Sequence, residues 1–171
     1  FKRVCNFIKA NLNENIKSNI VLSKVEFKKN SLYGLTLLPD LISPFPDEFK
    51  YELAISKNII KKHLDQVFNT DPRKDYWLKN GFQMLLLIRY MNTYYPEQKL
   101  IGKLANVWGI KNYNFSKLNY NEQYRLTYYQ MMRTGRDQAL TQKKDKLLSF
   151  NEKFNSYYKS AVALLYLKNF L

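Results

Sequence analysis

The chain has 171 residues, 46% of them hydrophobic and 16% aromatic, enough for one domain with a real core and too apolar for a disordered segment. Its 28 Lys and Arg against 14 Asp and Glu leave a net charge of +14, which favours anionic partners, although the basic residues are scattered and no run of five like charges occurs. A single cysteine, Cys5, excludes an internal disulfide and a cysteine metal cluster, and no stretch reaches the roughly 18 apolar residues that a membrane span needs.

Val4, Phe7, Ile8 and Leu12 have helical spacing and predict a helix over residues 1–12. An Asn-rich loop follows over 13–19. The alternation of Ile20, Leu22, Val25 and Phe27 then predicts one strand. Gly34, Pro39, Pro44 and Pro46 make 30–46 extended or looped. Pro46-Asp47-Glu48 signals a helix start, because proline suits the first turn and the two acids suit the positive end of the helix dipole. Phe49, Leu53, Ile60, Leu64 and Val67 fall in one narrow sector of that helix, so one buried face is expected, with Asp71-Pro72 ending it in a turn. A second helix, from about Trp77 to Tyr95, is apolar on nearly every side (Leu78, Phe82, Leu85, Leu86, Ile88, Met91) and is expected at the centre of the fold, stopped by Pro96. Further helices are predicted at about 97–108, at 121–134 with Gly135 closing it, and at 143–170 with a break. The fold class is therefore mainly α with a small β contribution near the N-terminus. Residues 1–46 form a helix, strand and extended segment of a partial β subdomain, and 47–171 form a helical domain. Phe1 in place of Met and the apolar run Ala161 to Leu171 predict that both ends are cuts through a longer protein.

The chemistry the residues allow is restricted first by histidine. His63 is the only one, so a zinc site with two imidazoles four residues apart on a helix is ruled out. A site of one His and two carboxylates would have to use Asp65 and Asp71, but Asp71 is better explained as the turn residue before Pro72. Cys5 has no neighbouring His, and neither a Gly-x-Ser-x-Gly elbow nor a Gly-rich phosphate loop occurs. Aromatic and basic residues interleave at Lys111-Asn-Tyr-Asn-Phe115 and Tyr124-Arg-Leu-Thr-Tyr-Tyr129, as stacking platforms for nucleic acid would require, and also as core aromatics separated by solvated lysines would look.

Three segments carry a resemblance. Asp71-Pro-Arg-Lys-Asp-Tyr-Trp-Leu-Lys-Asn-Gly-Phe82 resembles the stretch in which a Trp-Leu pair leads into a Glu-Gly helix in zinc aminopeptidases of the aminopeptidase N type, the gluzincins. Gly34-Leu-Thr-Leu-Leu-Pro39, followed by Asp-Leu-Ile42, looks like that family's GxMENPGLI segment, and Tyr157-Tyr-Lys-Ser-Ala-Val-Ala-Leu-Leu-Tyr-Leu167 is similar to its YEKG segment. The resemblance spans roughly 30–171 and implies a thermolysin-like helical catalytic domain. It puts Asn80 where the family has its third zinc ligand, a Glu. It puts Lys57 and Lys61 at the two His of HExxH, Asn58 at the general-base Glu, and Leu37 at the Glu that holds the substrate amine. Tyr157 matches the tyrosine that donates a hydrogen bond to the tetrahedral intermediate.

Every one of the zinc-site exchanges runs against the chemistry. Ammonium groups repel a dication, and an amide has essentially no basicity for taking a proton from water. What the resemblance implies is thus a peptidase core without catalytic residues, metal ligands or zinc, kept as a scaffold or binding protein with Tyr157 and Leu37 in a residual cleft. Its expected partners are a peptide or protein, with an anionic partner suggested by the net charge, and the family resemblance implies a cell-envelope or secreted location. Two alternatives stay open. One is an active zinc aminopeptidase whose metal site lies outside this stretch of chain. The other is a basic module that binds nucleic acid or an acidic surface.

Overall fold

The computed structural model describes residues 2–13 and 44–170, apart from the side chains at 154, 155 and 169. The predicted strand over 20–27 lies outside the described residues. Among those described, the architecture is helical. Helix α1 runs Lys2–Leu12, α2 Asp47–Val67 and α3 Tyr76–Tyr94. A 3-10 turn at Gly102–Asn106 and the short helix α4, Asn114–Lys117, lead to α5, Glu122–Arg133. A 3-10 turn at Lys144–Lys146 and a π turn at Asn151–Asn155 precede α6, Ser156–Phe170.

Local sequence explains the helix ends. Asn13, at φ 53°, takes the left-handed conformation that stops α1, which asparagine tolerates better than most residues. Pro46 precedes α2, and Asp47 and Glu48 occupy its first turn as expected. The helix ends at Val67, four residues before Asp71, because Phe68 turns extended at φ −90°, ψ 105°. Asp71 then builds the turn into α3: its carboxylate accepts the Arg73 amide at 2.8 Å and its carbonyl accepts the Asp75 amide at 2.8 Å.

Helix α3 is the centre. Met84, Leu87, Tyr90 and Met91 on it are wholly buried, and it packs against α2 on one side and more extensively against α6 on the other. The α6 crossing is tight. A Cβ placed on Gly81 would sit 2.7 Å from the Ser160 Cβ and 3.0 Å from a Leu164 methyl, so only glycine fits there at the present helix separation. On the other side, Glu52 of α2 accepts hydrogen bonds from the hydroxyls of Tyr90 and Tyr95 and pairs with Arg3 of α1 at 2.8 Å. One carboxylate therefore ties α1 and α2 to α3 and its C-terminal end. An aromatic chain extends the core: Phe49 meets Tyr95 and Tyr120 edge-on at 5.2 and 5.0 Å, and Tyr124 meets Tyr158 at 5.0 Å. It joins α2 to α5 and α6.

Three expectations need correction. Residues 97–108 form only the 3-10 turn, since Gly102 stands at φ +56° against the Pro44 carbonyl and Gly109 at φ +89°, both outside helical backbone. The stretch 143–170 is helical from Ser149, widened to a π turn over Asn151–Asn155, and becomes regular α-helix at Ser156. At its start Gln138 accepts the Leu148 amide at 2.7 Å, and Asn151 donates to Gln138 and to the Arg136 carbonyl, each at 2.9 Å, so side chains fasten the first turn to the segment 136–138. Finally, α2 buries more than one face. Ser56, Lys57, Asn58, Ile59 and Ile60 are all buried in succession, while Val67, counted on the buried stripe, is 45% exposed.

The Gly81 crossing gives a direct test. Gly81→Ala should lower unfolding free energy by about 1–3 kcal/mol, as overpacking does, and adding Ser160→Gly should restore part of the loss. Urea unfolding of the two single variants and the double variant measures this, and a neutral Gly81→Ala would contradict the close approach.

Candidate functional site

The middle of α2 is the chemically unusual part of the core, because it buries polar side chains instead of apolar ones. Lys57 is 5% exposed, Asn58 3% and His63 3%. The Asn58 amide turns back onto its own helix and donates to the Ala54 carbonyl at 2.8 Å. The Lys57 carbonyl receives a long hydrogen bond, 3.4 Å, from Gln83 of α3. Burial, and secondly the charge of Lys61 one turn on, push the Lys57 ammonium down from 10.5 to about 7. Lys61 itself is exposed.

Three cross-links set how α2 and α3 lie against each other. Glu52 meets Tyr90, Lys57 meets Gln83, and Asp65 meets Lys79 in an ion pair of 2.6 Å. The helices run antiparallel, and on this register Asn80, half-buried, falls level with Lys61. Lys57, Asn58, Lys61 and Asn80 therefore share the same stretch of the α2–α3 pair. Tyr157 stands on α6 one turn before Ser160, the residue that abuts Gly81, and its half-buried ring packs on the core. It stands on α6, not on the α2–α3 pair. Leu37 lies outside the described residues.

The residues of the one-histidine alternative are dispersed. His63 is buried on α2, Asp65 is paired with Lys79, and Asp71 is spent in the turn. Among the described residues no group of three or more His, Cys, Asp or Glu side chains is gathered as a metal ion would require. A cleft of about 750 Å³ opens elsewhere, between the turn Asp71–Lys74 and the segment Lys143–Glu152. It mixes Arg73, Lys74, Lys143 and Lys144 with Asp71, Asp145 and Glu152, and none of the residues aligned with the zinc site lines it. Two features escaped the sequence reading. Gln83 was visible as the one polar residue inside the apolar run Phe82 to Ile88, yet only the α2 register assigns it to Lys57. The cleft joins segments some seventy residues apart and has no local signal.

No protein-family model matches the chain, and no curated protein or solved structure matches it. The arrangement is thus defined by its own chemistry. Two amine-bearing side chains and two amides occupy neighbouring levels of a helix pair, and none of the four supplies a carboxylate or an imidazole.

The lowered Lys57 value makes stability depend on pH. Between pH 7 and 10.5 the unfolded chain holds a proton that the folded chain has released, so unfolding free energy rises with pH through this window. At higher pH the hydroxyls of half-buried Tyr95 and buried Tyr120, pushed up to about 12, act in the opposite sense, since the unfolded state ionises first. Stability should therefore climb from about pH 7 to about pH 9 and then level off. Lys57→Met should raise stability at pH 7 by about 1–4 kcal/mol and flatten the climb. Denaturant unfolding across that range checks both; a slope that survives in the variant would show that Lys57 is not its source.

Proposed function

We propose that this protein is a pseudopeptidase: a thermolysin-like helical domain of the aminopeptidase N type, with a small β part near its N-terminus, that keeps the peptidase framework as a binding scaffold and has no zinc chemistry. The single observation that supports this reading is positional. The α2–α3 register sets Asn80 level with Lys61 on the adjoining helix, with the buried Lys57 one turn before Lys61 and its backbone carbonyl bonded to Gln83 of α3. Those are the levels at which two imidazoles and a carboxylate of a gluzincin would meet one ion.

In such a site the replacements act together. A buried amine of lowered basicity stands where the family has an imidazole, and it can give up its charge instead of meeting a metal ion. Asn58, folded onto the Ala54 carbonyl, fills the general-base position as a packing residue. What remains for function is the surface of the scaffold, with a peptide or protein as partner and the anionic kind favoured by the net charge of +14.

Two measurements bear on this. The purified protein should carry far less than one zinc per chain by elemental analysis and should show no chelator-sensitive hydrolysis of aminoacyl reporter amides; stoichiometric zinc with such hydrolysis would sink the proposal. The alignment itself is tested by reinstating the ligands. The combined variant Lys57→His, Asn58→Glu, Lys61→His and Asn80→Glu should bind one zinc per chain, with metal raising its thermal midpoint. A folded variant, by circular dichroism, that takes up no zinc would reject the correspondence of these positions.

A further inference from the structure

Between α3 and α5 the chain makes an excursion whose ends meet. The Leu100 amide donates to the Leu118 carbonyl at 2.9 Å, the Tyr120 amide to the Gln98 carbonyl at 2.8 Å, and the Lys103 amide fastens the base to the Pro44 carbonyl at 2.8 Å. The interior of the excursion is also held: the Ser116 hydroxyl, on a buried residue, bridges the Lys111 and Tyr113 carbonyls at 2.9 and 2.7 Å. It is an ordered knob rather than a loose loop.

Its outer surface is the opposite of what such a well-bonded loop usually presents to water. Trp108 is 96% exposed, Tyr113 61%, and Val107 and Phe115 46% each. Next to Trp108 the backbone turns at Gly109, φ +89°, with open space around it. From Gln98 to Asn121 the sequence holds four lysines and no Asp or Glu, and Lys103, Lys111 and Lys117 are exposed. Glu97 and Glu122 flank the two ends of this segment; Glu122 lies 3.7 Å from Arg125, and Asp47, beside Lys103, is paired with Lys50 at 2.7 Å.

We propose that this knob is a peripheral membrane-docking element that seats Trp108 and Val107 among the headgroups of an anionic bilayer, with the lysines on lipid phosphates. A projecting indole with an aliphatic neighbour and a lysine rim has the composition of an interfacial anchor: the indole sits at the headgroup level and the ammonium groups stay in the polar layer. Single-stranded nucleic acid, the other polyanion, fits less well. Stacking needs ring faces in series along a groove, whereas Tyr113 and Phe115 stack on each other at 5.8 Å and Val107 has no π face. No helix among the described residues is long and apolar enough to cross a membrane.

The test is partition of the whole chain onto vesicles of phosphatidylcholine with and without phosphatidylserine. Binding should require the anionic lipid, weaken with added salt, and shift the tryptophan emission to shorter wavelength. Trp108→Ala should weaken partition roughly tenfold and abolish the shift, leaving only half-buried Trp77 to emit. Lys111→Gln should weaken it roughly fivefold. Because the indole touches so little, Trp108→Ala should keep the wild-type thermal midpoint, which separates a lost anchor from a lost fold. No partition onto anionic vesicles, or partition unchanged in Trp108→Ala, overturns the proposal. So does Trp108-dependent binding of a single-stranded oligonucleotide without vesicle binding, which would hand the surface to nucleic acid instead.

Discussion

Helix α3 has no side of its own to give to water, and the rest of the structure follows from covering it. An all-round apolar helix must be enclosed by partners on several flanks. α2 and α6 take two of them, and α1 reaches the assembly through Glu52 and the aromatic edge of Tyr90 and Tyr94 against Phe7. The closeness of the α6 flank depends on glycine at 81 and serine at 160, small enough to let two backbones approach. Dispersion between well-packed surfaces falls off steeply with separation, so one added methyl at that crossing is felt along both helices.

The same enclosure explains why the middle of α2 is strange. A helix that covers another on one side is itself covered elsewhere, and here the covered turn carries Lys57 and Asn58. A protonated amine in that position costs free energy that an apolar residue of similar size would not. A long, flexible side chain that gives up its proton lowers that cost.

The linear pattern made a good deal of this legible. Periodicity found α1, α2, α3 and α5 to within a few residues, and it identified α3 as the central helix, because apolar residues at every angle leave no other place for it. Proline and the paired acids at 46–48 marked the start of α2. The pattern failed where backbone conformation or distant side chains outweighed local preference. Gly102 takes positive φ against the Pro44 carbonyl, some sixty residues earlier, and Gln138 holds the Lys146 carbonyl and the Leu148 amide that a helix over 143–148 would have needed. The exposed Val67 and the buried Ser56 and Asn58 were missed because counting apolar residues measures what a helix prefers to bury, and says nothing of how many neighbours surround it.

For the candidate site the division is sharper. One histidine, with lysines and asparagines at the positions that the resemblance gives to ligands, settles from residue types alone that these side chains cannot assemble a two-imidazole zinc site, because coordination chemistry depends on identity before geometry. Which of those residues lie side by side was decided only by tertiary structure. The levels of Lys61 and Asn80 follow from the antiparallel register of α2 and α3, and that register is set by contacts of Glu52, Gln83 and Lys79 that no local spacing encodes. Burial of Lys57, with its lowered basicity, and the near-complete exposure of Trp108 likewise arise from what the fold puts around each side chain. Solvation is a property of the surroundings, and the surroundings are assembled from residues far apart in the chain.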